Sequence, residues 1–137
     1  MTSLVLDCSI AVSWLFEDEA SPSTDKILEM VRDRGAYVPN LWHLEVTNVL
    51  IQASKKNRID SVSIPERLAT LSLLPIKTDM ETHSRAFSDT FYLAEEQMLT
   101  SYDAAYLELA MRRELFIATK DNAIKKAAKT LQIPLVC

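Results

Sequence analysis

The sequence predicts an α/β fold in which a central parallel sheet of four to five short strands carries helices on both faces. Short apolar runs alternate along the chain with longer segments whose apolar residues recur at helical spacing. Strands separated by helices are expected to run parallel, because parallel neighbours require a crossover connection. The 137 residues, 48% of them hydrophobic, also have the size and composition of one ordinary globular domain. We therefore expect residues 1–137 to form a single domain.

The predicted strands are short apolar runs, each bounded by residues typical of turns or helix starts. In chain order they are residues 3–6, 36–38, 75–77, 115–119 and 134–136. The last of them is expected at an edge of the sheet. The first passes into a helix through a very short turn that contains Asp7 and Ser9, so these two side chains lie where a strand ends.

The segments between the strands predict helices, because their apolar residues fall on one face. The predicted helices are residues 10–16, 23–34, 41–56, a segment from 60 or 63 to 73 or 74, 80–97, 101–113 and 122–131. Gly35, the single glycine, ends the second helix at a position that favours a left-handed residue. Pro39 and Asn40 begin the long third helix, and Asn57 is its predicted stop.

Composition excludes several classes of function. Loops that cradle phosphates need several glycines, so a chain with one glycine carries no nucleotide-binding loop of that kind. Cys8 and Cys137 lie at opposite ends of the chain and His43 and His83 lie far apart, so no zinc-binding spacing exists. Two cysteines give no disulfide framework, and we expect both to behave as small buried hydrophobic residues.

Charge and hydropathy predict a soluble, cytoplasmic protein with no membrane partner. Asp7 interrupts the first apolar run and no basic residue precedes Lys26, so neither a signal peptide nor a membrane-spanning helix is predicted. Fifteen Lys and Arg against nineteen Asp and Glu give a net charge of −4. Any nucleic acid must therefore bind a local basic patch.

Two acids follow predicted strands. Asp7 ends the first strand and Asp121 follows the fourth, so in a parallel sheet both lie at the carboxyl edge, where open α/β folds bind ligands. Each acid alone is explained equally well as the cap of the following helix. Capping does not explain why both lie at the same edge.

Two further acids come from helices. Helical projection places Asp103 beside Leu107 and Ala110 on the apolar face of its helix, although an acid near a helix start also interacts favourably with the helix dipole. Glu45 lies on the boundary between an apolar arc and a polar arc that includes Asn48. An ordinary surface glutamate explains Glu45 equally well.

Four carboxylates in one pocket would repel one another, and the repulsion would raise the pKa of some of them. A bound cation relieves this repulsion. Oxygen ligands without a suitable His or Cys favour a hard ion, Mg²⁺ or Mn²⁺, which retains waters and commonly binds phosphate. Such an ion suits phosphodiester hydrolysis, whereas a Ser-His-Asp nucleophile is disfavoured because neither histidine lies near a nucleophile motif.

The four acids lie in motifs that cover nearly the whole chain. The motifs are Leu4–Ser9 with Trp14 beyond it, Pro39–Leu41 leading to Glu45–Leu50, Tyr102–Ala110, and Ala118–Asp121 before the last helix. In order and spacing they resemble the PIN-domain ribonucleases and, more narrowly, the VapC toxins of bacterial and archaeal toxin–antitoxin pairs. The resemblance implies a PIN-like three-layer sandwich.

The resemblance also implies a Mg²⁺-dependent endoribonuclease whose acidic site consists of Asp7, Glu45, Asp103 and Asp121. Asp7 and Asp103 would be the direct metal ligands, and the other two acids would bind the ion directly or through water. Mn²⁺ is the alternative ion. The supporting residues would be Ser9, Thr119 and Asn48. Water would attack the phosphorus in line and the 3′ oxygen would leave.

RNA binding requires positive charge, which is concentrated late in the chain. The basic residues between positions 112 and 129 are Arg112, Arg113, Lys120, Lys125, Lys126 and Lys129. The three lysines of the last helix are explained as its solvated face. Lys120, adjacent to Asp121, is therefore the candidate phosphate contact.

One departure from the family concerns turns. Family members often carry a glycine before the strand that begins here at Leu115 and another near Pro134. This chain has Arg113-Glu114 and Gln132-Ile133 there. These differences affect the local backbone and leave the acids in place.

The family is typically dimeric and neutralised by a partner protein. The resemblance therefore implies a homodimer and a cognate VapB-type antitoxin that delivers a basic side chain to the acidic pocket. Leu41, Leu44 and Ile51 lie away from the main apolar arc of the third helix. Burial under a neighbouring helix explains them, and a dimer or antitoxin surface would use the same area.

Three other functions remain open. An aspartyl-phosphate phosphatase of the haloacid dehalogenase type also places an acid after its first strand, but its motif has a second Asp where this chain has Ser9. A phosphorylated receiver domain needs paired acids there, and Asp7 has no acidic neighbour. A PIN-like protein without catalytic activity would serve protein interaction alone, although all four acids are present.

Overall fold

A five-stranded, fully parallel sheet forms the centre of the computed structural model, which describes residues 3–136. Its strands are β1 (Leu4–Leu6), β2 (Ala36–Val38), β3 (Ile76–Thr78), β4 (Phe116–Ala118) and β5 (Leu135–Val136). Their order across the sheet is β3-β2-β1-β4-β5. The predicted α/β fold with parallel strands is confirmed. β4 is shorter than predicted, and β3 begins and ends one residue later than predicted.

Helices connect all the strands, as parallel pairing requires. They are α1 (Cys8–Ser13), α2 (Pro22–Arg34), α3 (Trp42–Lys55), α4 (Ile64–Ser72), α5 (Thr82–Arg85), α6 (Phe91–Gln97), α7 (Ser101–Arg113) and α8 (Asn122–Thr130). Short 3₁₀ turns lie at Glu17–Glu19 and Ser61–Ser63. The segment predicted as one helix over residues 80–97 is divided, because a π-helical turn at Ala86–Thr90 separates α5 from α6.

β1 occupies the middle of the sheet and is buried along its whole length, as its continuous apolar sequence predicts. The core around it takes large apolar side chains from α1, α2, α3, α7 and α8, which flank the three inner strands. Those that are fully buried include Ile10, Ile27, Leu50, Leu107 and Ile124. Cys8 is also buried, as predicted, and burial raises the pKa of its thiol to about 12, so it is not a reactive group. Cys137 lies outside the described residues.

Several helices end in left-handed residues that are not glycine. Asn57, Met98, Glu114 and Gln132 all have φ between 54° and 59°. Glu114 and Gln132 occupy the two turns where the family often carries glycine. Gly35 has φ 77°, and a Cβ atom there would lie 3.0 Å from the carbonyl oxygen of Pro75. A side chain at position 35 would therefore combine a strained backbone with a tight contact that the Pro75 carbonyl must move to relieve.

In the part of the chain that the structure describes, every helix is too short or too polar to cross a membrane.

Candidate active site

Asp7 lies at the carboxyl end of the central strand. The register pairs Leu6 with Ala118 on β4, so the next residues of the two strands, Asp7 and Thr119, are neighbours. Asp7 precedes α1, but its side chain makes no capping hydrogen bond. Instead its Oδ2 atom accepts hydrogen bonds from Ser9 Oγ at 2.6 Å and from Thr119 Oγ1 at 2.7 Å. The capping explanation is therefore wrong for Asp7.

The two hydroxyl groups that contact Asp7 each accept one hydrogen bond from the backbone, which determines where each hydroxyl proton is donated. Ser9 Oγ accepts from the backbone N–H of Lys120 at 2.9 Å, and Thr119 Oγ1 accepts from the backbone N–H of Asp121 at 3.0 Å. Each hydroxyl has one proton, which it donates to Asp7. Both donors use Oδ2, so neither occupies Oδ1. The backbone of the β4–α8 loop thus orients Asp7 through these hydroxyls.

Asp7 is only 6% exposed. Burial raises the pKa of its carboxyl group, although Ser9 and Thr119 act in the opposite direction, and the charge of Asp121 raises the pKa further. Asp7 and Asp121 therefore lie close enough for their charges to interact, as their positions at one edge of the sheet predict.

Glu45 lies in the first turn of α3 and is half-buried. Its Oε1 atom accepts a 2.5 Å hydrogen bond from the hydroxyl of Tyr106 on α7. Burial raises the pKa of Glu45 to about 7, and the charges of Asp7 and Asp103 contribute to the increase, while the Tyr106 hydrogen bond opposes it. Glu45 therefore belongs to the same cluster and is not an ordinary surface glutamate.

Asp103 lies in the first turn of α7, where Thr100 caps the helix by accepting a hydrogen bond from the Asp103 N–H at 3.1 Å. The predicted apolar neighbours on this face, Leu107 and Ala110, are fully buried. Burial raises the pKa of the Asp103 carboxyl, and the charges of Asp121 and Asp7 raise it further. Asp103 therefore interacts with other acids of the cluster in addition to its favourable position near the start of the helix.

Asp121 has two roles in the structure. Its Oδ1 atom accepts a 2.9 Å hydrogen bond from the N–H of Ile124, so Asp121 caps α8. The capping explanation is therefore correct for this acid. Its charge also raises the pKa values of Asp7 and Asp103. The structure therefore brings together all four acids singled out from the sequence.

The remaining candidates lie at different distances from this cluster. Asn48 is exposed on α3, about one turn beyond Glu45, and makes no side-chain hydrogen bond to a described residue. Lys120 lies between Thr119 and Asp121, and its Nζ atom is 3.9 Å from Oε1 of Glu19. The 3₁₀ turn that contains Glu19 is thus next to the candidate RNA contact.

Two of the basic residues counted toward an RNA-binding patch are used elsewhere. Arg112 donates hydrogen bonds to both carboxylate oxygens of Asp79, at 3.0 and 2.7 Å, and to Glu108 at 2.7 Å. Arg113 contacts Asp79 at 3.3 Å and lies over the ring of Tyr37. Asp79 and Glu108 are buried, so Arg112 is a structural cation in a buried ion cluster.

The sequence analysis did not single out Tyr106 or the Asp79–Arg112–Glu108 cluster. A signal for Tyr106 is present in the sequence, because it follows Asp103 by three positions and therefore shares its helix face. Glu108 has a local signal too, because it precedes Arg112 by four positions on the same helix. Asp79 has none, since it lies 33 positions from Arg112.

The residues of the site fit a hydrated divalent cation. In residues 3–136 no three His, Cys, Asp or Glu side chains are arranged to enclose an ion by themselves. Mg²⁺ does not require such an arrangement, because it usually binds one or two carboxylates and keeps several waters. The donor atoms here are all oxygens, and burial, together with the charges of neighbouring acids, raises the pKa values of Asp7, Glu45 and Asp103. Asp7 and Asp103 are suitable ligands.

Acids gathered at the carboxyl edge of a parallel sheet are typical of α/β proteins that bind a cation through oxygen ligands. Comparison with known families makes this more specific. The sequence model of the PIN domain matches residues 4–130, and the chain belongs to the PIN domain family. PIN domains are generally nucleases that use divalent metal ions. This assignment removes the support for the aspartyl-phosphate phosphatase and the receiver domain.

Solved structures support the fold. The crystal structure of PAE2754 from Pyrobaculum aerophilum superimposes with a TM-score of 0.68 and covers 95% of this chain and 92% of its own. The two sequences are 19% identical, so this similarity concerns the fold alone. No curated protein matches the chain.

Proposed function

We propose that this PIN-domain protein is a Mg²⁺-dependent endoribonuclease that hydrolyses RNA phosphodiester bonds, with Mn²⁺ as a substitute for Mg²⁺. The observation that carries the proposal is the position of the acids: Thr119 connects Asp7 to the backbone of Asp121 where β1 and β4 end side by side, and Tyr106 of α7, the helix that carries Asp103, holds Glu45. Their repulsion disfavours the ion-free protein at neutral pH, and a divalent cation relieves it. Membership of a family of nucleases supports the reaction class.

Each acid has a role that follows from its surroundings. Asp7 and Asp103 would hold the ion, because Asp7 is fixed by two hydroxyls with Oδ1 unused by them and the charge of Asp103 on α7 interacts with it. When bound, the divalent ion would neutralise charge on the phosphate and acidify water. Glu45, with a pKa raised to about 7 in the ion-free site, would contribute to ion binding through a water molecule and accepts the proton of the attacking water. Asp121 orients that water.

The reaction is hydrolysis by in-line displacement. The water oxygen forms a bond to phosphorus while the bond from phosphorus to the 3′ oxygen breaks. Glu45 takes one proton from the attacking water and passes it to solvent, while the 3′ oxygen takes a proton from a solvent water molecule. The products carry a 5′ phosphate and a 3′ hydroxyl. Lys120 contacts a flanking phosphate, since its contact with Glu19 is long and exposed enough for an RNA phosphate to replace it.

The test is cleavage of RNA by the purified protein. We expect cleavage with Mg²⁺ or Mn²⁺, none with EDTA, and loss of cleavage in Asp7→Asn and Asp103→Asn. Asp33→Asn is the matched control, because Asp33 is an exposed acid near the end of α2. Sequencing of RNA 5′ ends, compared with Asp7→Asn, identifies the cut sites. Cleavage that survives thorough chelation contradicts the nuclease proposal, and absence of cleavage by wild type favours a PIN-like interaction protein.

We further propose that the protein acts in the cytoplasm as the toxin of a toxin–antitoxin pair, neutralised by a VapB-type antitoxin. The PIN fold and the intact acids support this role, and the acidic site suits a basic side chain supplied by the partner. Expression of the chain alone is expected to stop growth, and coexpression of the adjacent small antitoxin gene is expected to restore it. A chain that cuts RNA well in vitro and is harmless in cells is instead a housekeeping PIN nuclease.

A homodimer is the third part of the proposal. Leu44 is 76% exposed on α3 and Ile51 is also exposed, whereas Leu41 is half-buried against the core. Burial under a neighbouring helix thus does not account for Leu44. Light scattering during size-exclusion chromatography is expected to give the mass of a dimer for wild type and of a monomer for Leu44→Lys. A monomeric wild type contradicts the dimer without affecting the nuclease proposal.

A further inference from the structure

Tyr106 has a fully buried side chain whose hydroxyl contacts the acidic site. It lies on α7, and its hydroxyl donates to Oε1 of Glu45 on α3, a residue 61 positions earlier in the chain. A buried phenol hydroxyl needs a hydrogen-bond partner, because leaving it unpaired destabilises the folded protein. Glu45 is the one acceptor that the described residues offer it.

The contact restricts Glu45 more than it restricts Tyr106. Glu45 has a long, unbranched side chain that is half-buried at the edge of α3 and would otherwise sample several rotamers. Tyr106 is enclosed by the core and cannot move to follow it. The tyrosine therefore determines where the glutamate carboxylate lies.

Tyr106 is also coupled to a second acid of the site by helix geometry. Asp103 precedes it by three positions on α7, so the two side chains share a helix face and are separated by about 4.5 Å along the helix axis. One helix thus carries one acid and the donor that holds another. The separation of Glu45 from Asp103 is set by α7 rather than by the flexible glutamate side chain.

We propose that Tyr106 is a positioning residue for Glu45, keeping its carboxylate beside Asp7 and Asp103 in the geometry that the reaction uses. This inference rests on the proposed nuclease function. It assigns Tyr106 no contact with RNA or with the ion. Removing the hydroxyl alone should therefore impair the chemical step and ion binding while leaving the fold and RNA binding intact.

The first test is Tyr106→Phe, which removes the hydroxyl and keeps the ring in the core. We expect kcat for RNA cleavage and the affinity for Mn²⁺, measured by calorimetry without RNA, to fall by about 10- to 100-fold, the usual effect of losing a supporting hydrogen bond to a metal-site residue. KM for RNA is expected to stay unchanged. The control is Tyr37→Phe, since Tyr37 is half-buried on β2 and its hydroxyl makes no hydrogen bond to a described residue. Wild-type kcat and Mn²⁺ affinity in Tyr106→Phe would overturn the proposal.

The second test combines Tyr106→Phe with Glu45→Ala. If the tyrosine acts through the glutamate, its replacement has no further effect on Mn²⁺ affinity when Glu45 is absent. Equal losses of affinity in both backgrounds would show that Tyr106 acts by another route. Circular dichroism of all four proteins confirms that each is folded.

A third measurement uses no active enzyme and no tyrosine variant. Because the hydroxyl proton of Tyr106 is buried and bonded to a carboxylate, it is expected as a separate downfield NMR resonance in wild type that is lost in Glu45→Ala. Absence of this resonance, or its persistence in Glu45→Ala, overturns the inference even if the protein cuts RNA. A wild type that shows the resonance but neither cuts RNA nor binds Mn²⁺ contradicts the nuclease proposal and confirms the contact.

Discussion

The hydroxyl of Thr119 donates a 2.7 Å hydrogen bond to Oδ2 of Asp7, across 112 positions of the sequence. The same hydroxyl accepts the N–H of Asp121, so one buried side chain connects two of the four acids. Adjacent parallel strands produce this contact, because β1 and β4 end side by side. Thr119 therefore aligns the carboxylate of Asp7 with the backbone that carries Asp121.

Thr119→Val should destabilise the protein and impair its activity. The substitution keeps the branched shape and removes both hydrogen bonds, one of them to an ionised group, so we expect a loss of about 1.5–3 kcal/mol in the free energy of unfolding. Denaturant titration at neutral pH measures this loss. Thr130→Val is the control, because Thr130 is exposed and bonds only to the Lys126 carbonyl of its own helix. Equal stability of the two variants would contradict the assigned role of Thr119.

The stability of the ion-free protein should fall as pH rises from about 4.5 to about 7. Burial raises the pKa of Glu45 from 4.5 to about 7, so the folded protein binds this proton more tightly than the unfolded chain. The resulting penalty is absent below the unfolded pKa, grows with pH, and is complete above the folded pKa. Because Glu45 is half-exposed to solvent, we expect it to amount to about 1–2 kcal/mol.

Glu45→Gln and Asp7→Asn isolate this effect. Each removes one negative charge, so in EDTA each variant should melt at a higher temperature than wild type near pH 7.5 and with a smaller pH dependence. Mg²⁺ should stabilise wild type, because it binds the native state, and stabilise the variants less. Variants that melt below wild type in EDTA and respond equally to Mg²⁺ would mean that these acids are structural.

Arg112→Met should be among the most destabilising substitutions in the chain. It would leave the buried Glu108 without its cation and the completely buried Asp79 with only its longer contact to Arg113, at a cost of about 3–5 kcal/mol. Arg58→Met is the comparison, because Arg58 pairs with Asp18 and Glu19 at the surface. Solvent screening predicts a much smaller loss there. Thermal melts at neutral pH that rank the two variants in the reverse order would contradict this assignment.

Glu114→Gly and Gln132→Gly should each stabilise the protein. Both residues hold φ values near 55–60°, which a side chain disfavours and glycine adopts freely. Glycine also has a greater conformational entropy in the unfolded chain, which offsets part of this benefit. We expect each substitution to raise the free energy of unfolding by about 0.5–1 kcal/mol. Gly35→Ala should have the opposite effect, since its Cβ would meet the Pro75 carbonyl. Urea unfolding of the three variants measures both signs.

Local patterns predicted most of the fold and the acids. Asp7 and Asp121 were placed at one edge because each follows a strand, and Asp103 was placed inward because helical periodicity is regular. The contact between Glu45 and Tyr106 was not predictable in this way, since it depends on how α3 packs against α7. Arg112 was counted among the basic residues available to RNA, because its contact with Asp79 likewise depends on how distant parts of the chain pack.

The boundaries that the sequence analysis misplaced are those with little local signal. Strands of two or three residues have too few side chains for their ends to be defined by alternation. The residues of the π-helical turn, Ala86–Thr90, have a composition that is ordinary for an α-helix. A single helix over residues 80–97 was therefore predicted.

The central position of β1 has a consequence for synthesis of the protein. β1 is made first, but its neighbour β4 and the residues that complete the acidic cluster, Asp103, Thr119 and Asp121, are made last. During translation the chain therefore cannot assemble its site until nearly all of it has left the ribosome. An incomplete chain presents Asp7 without Thr119 to orient it and without Asp103 and Asp121 beside it. The order of the strands thus keeps the acidic cluster incomplete during synthesis until the segment through Asp121 has been made.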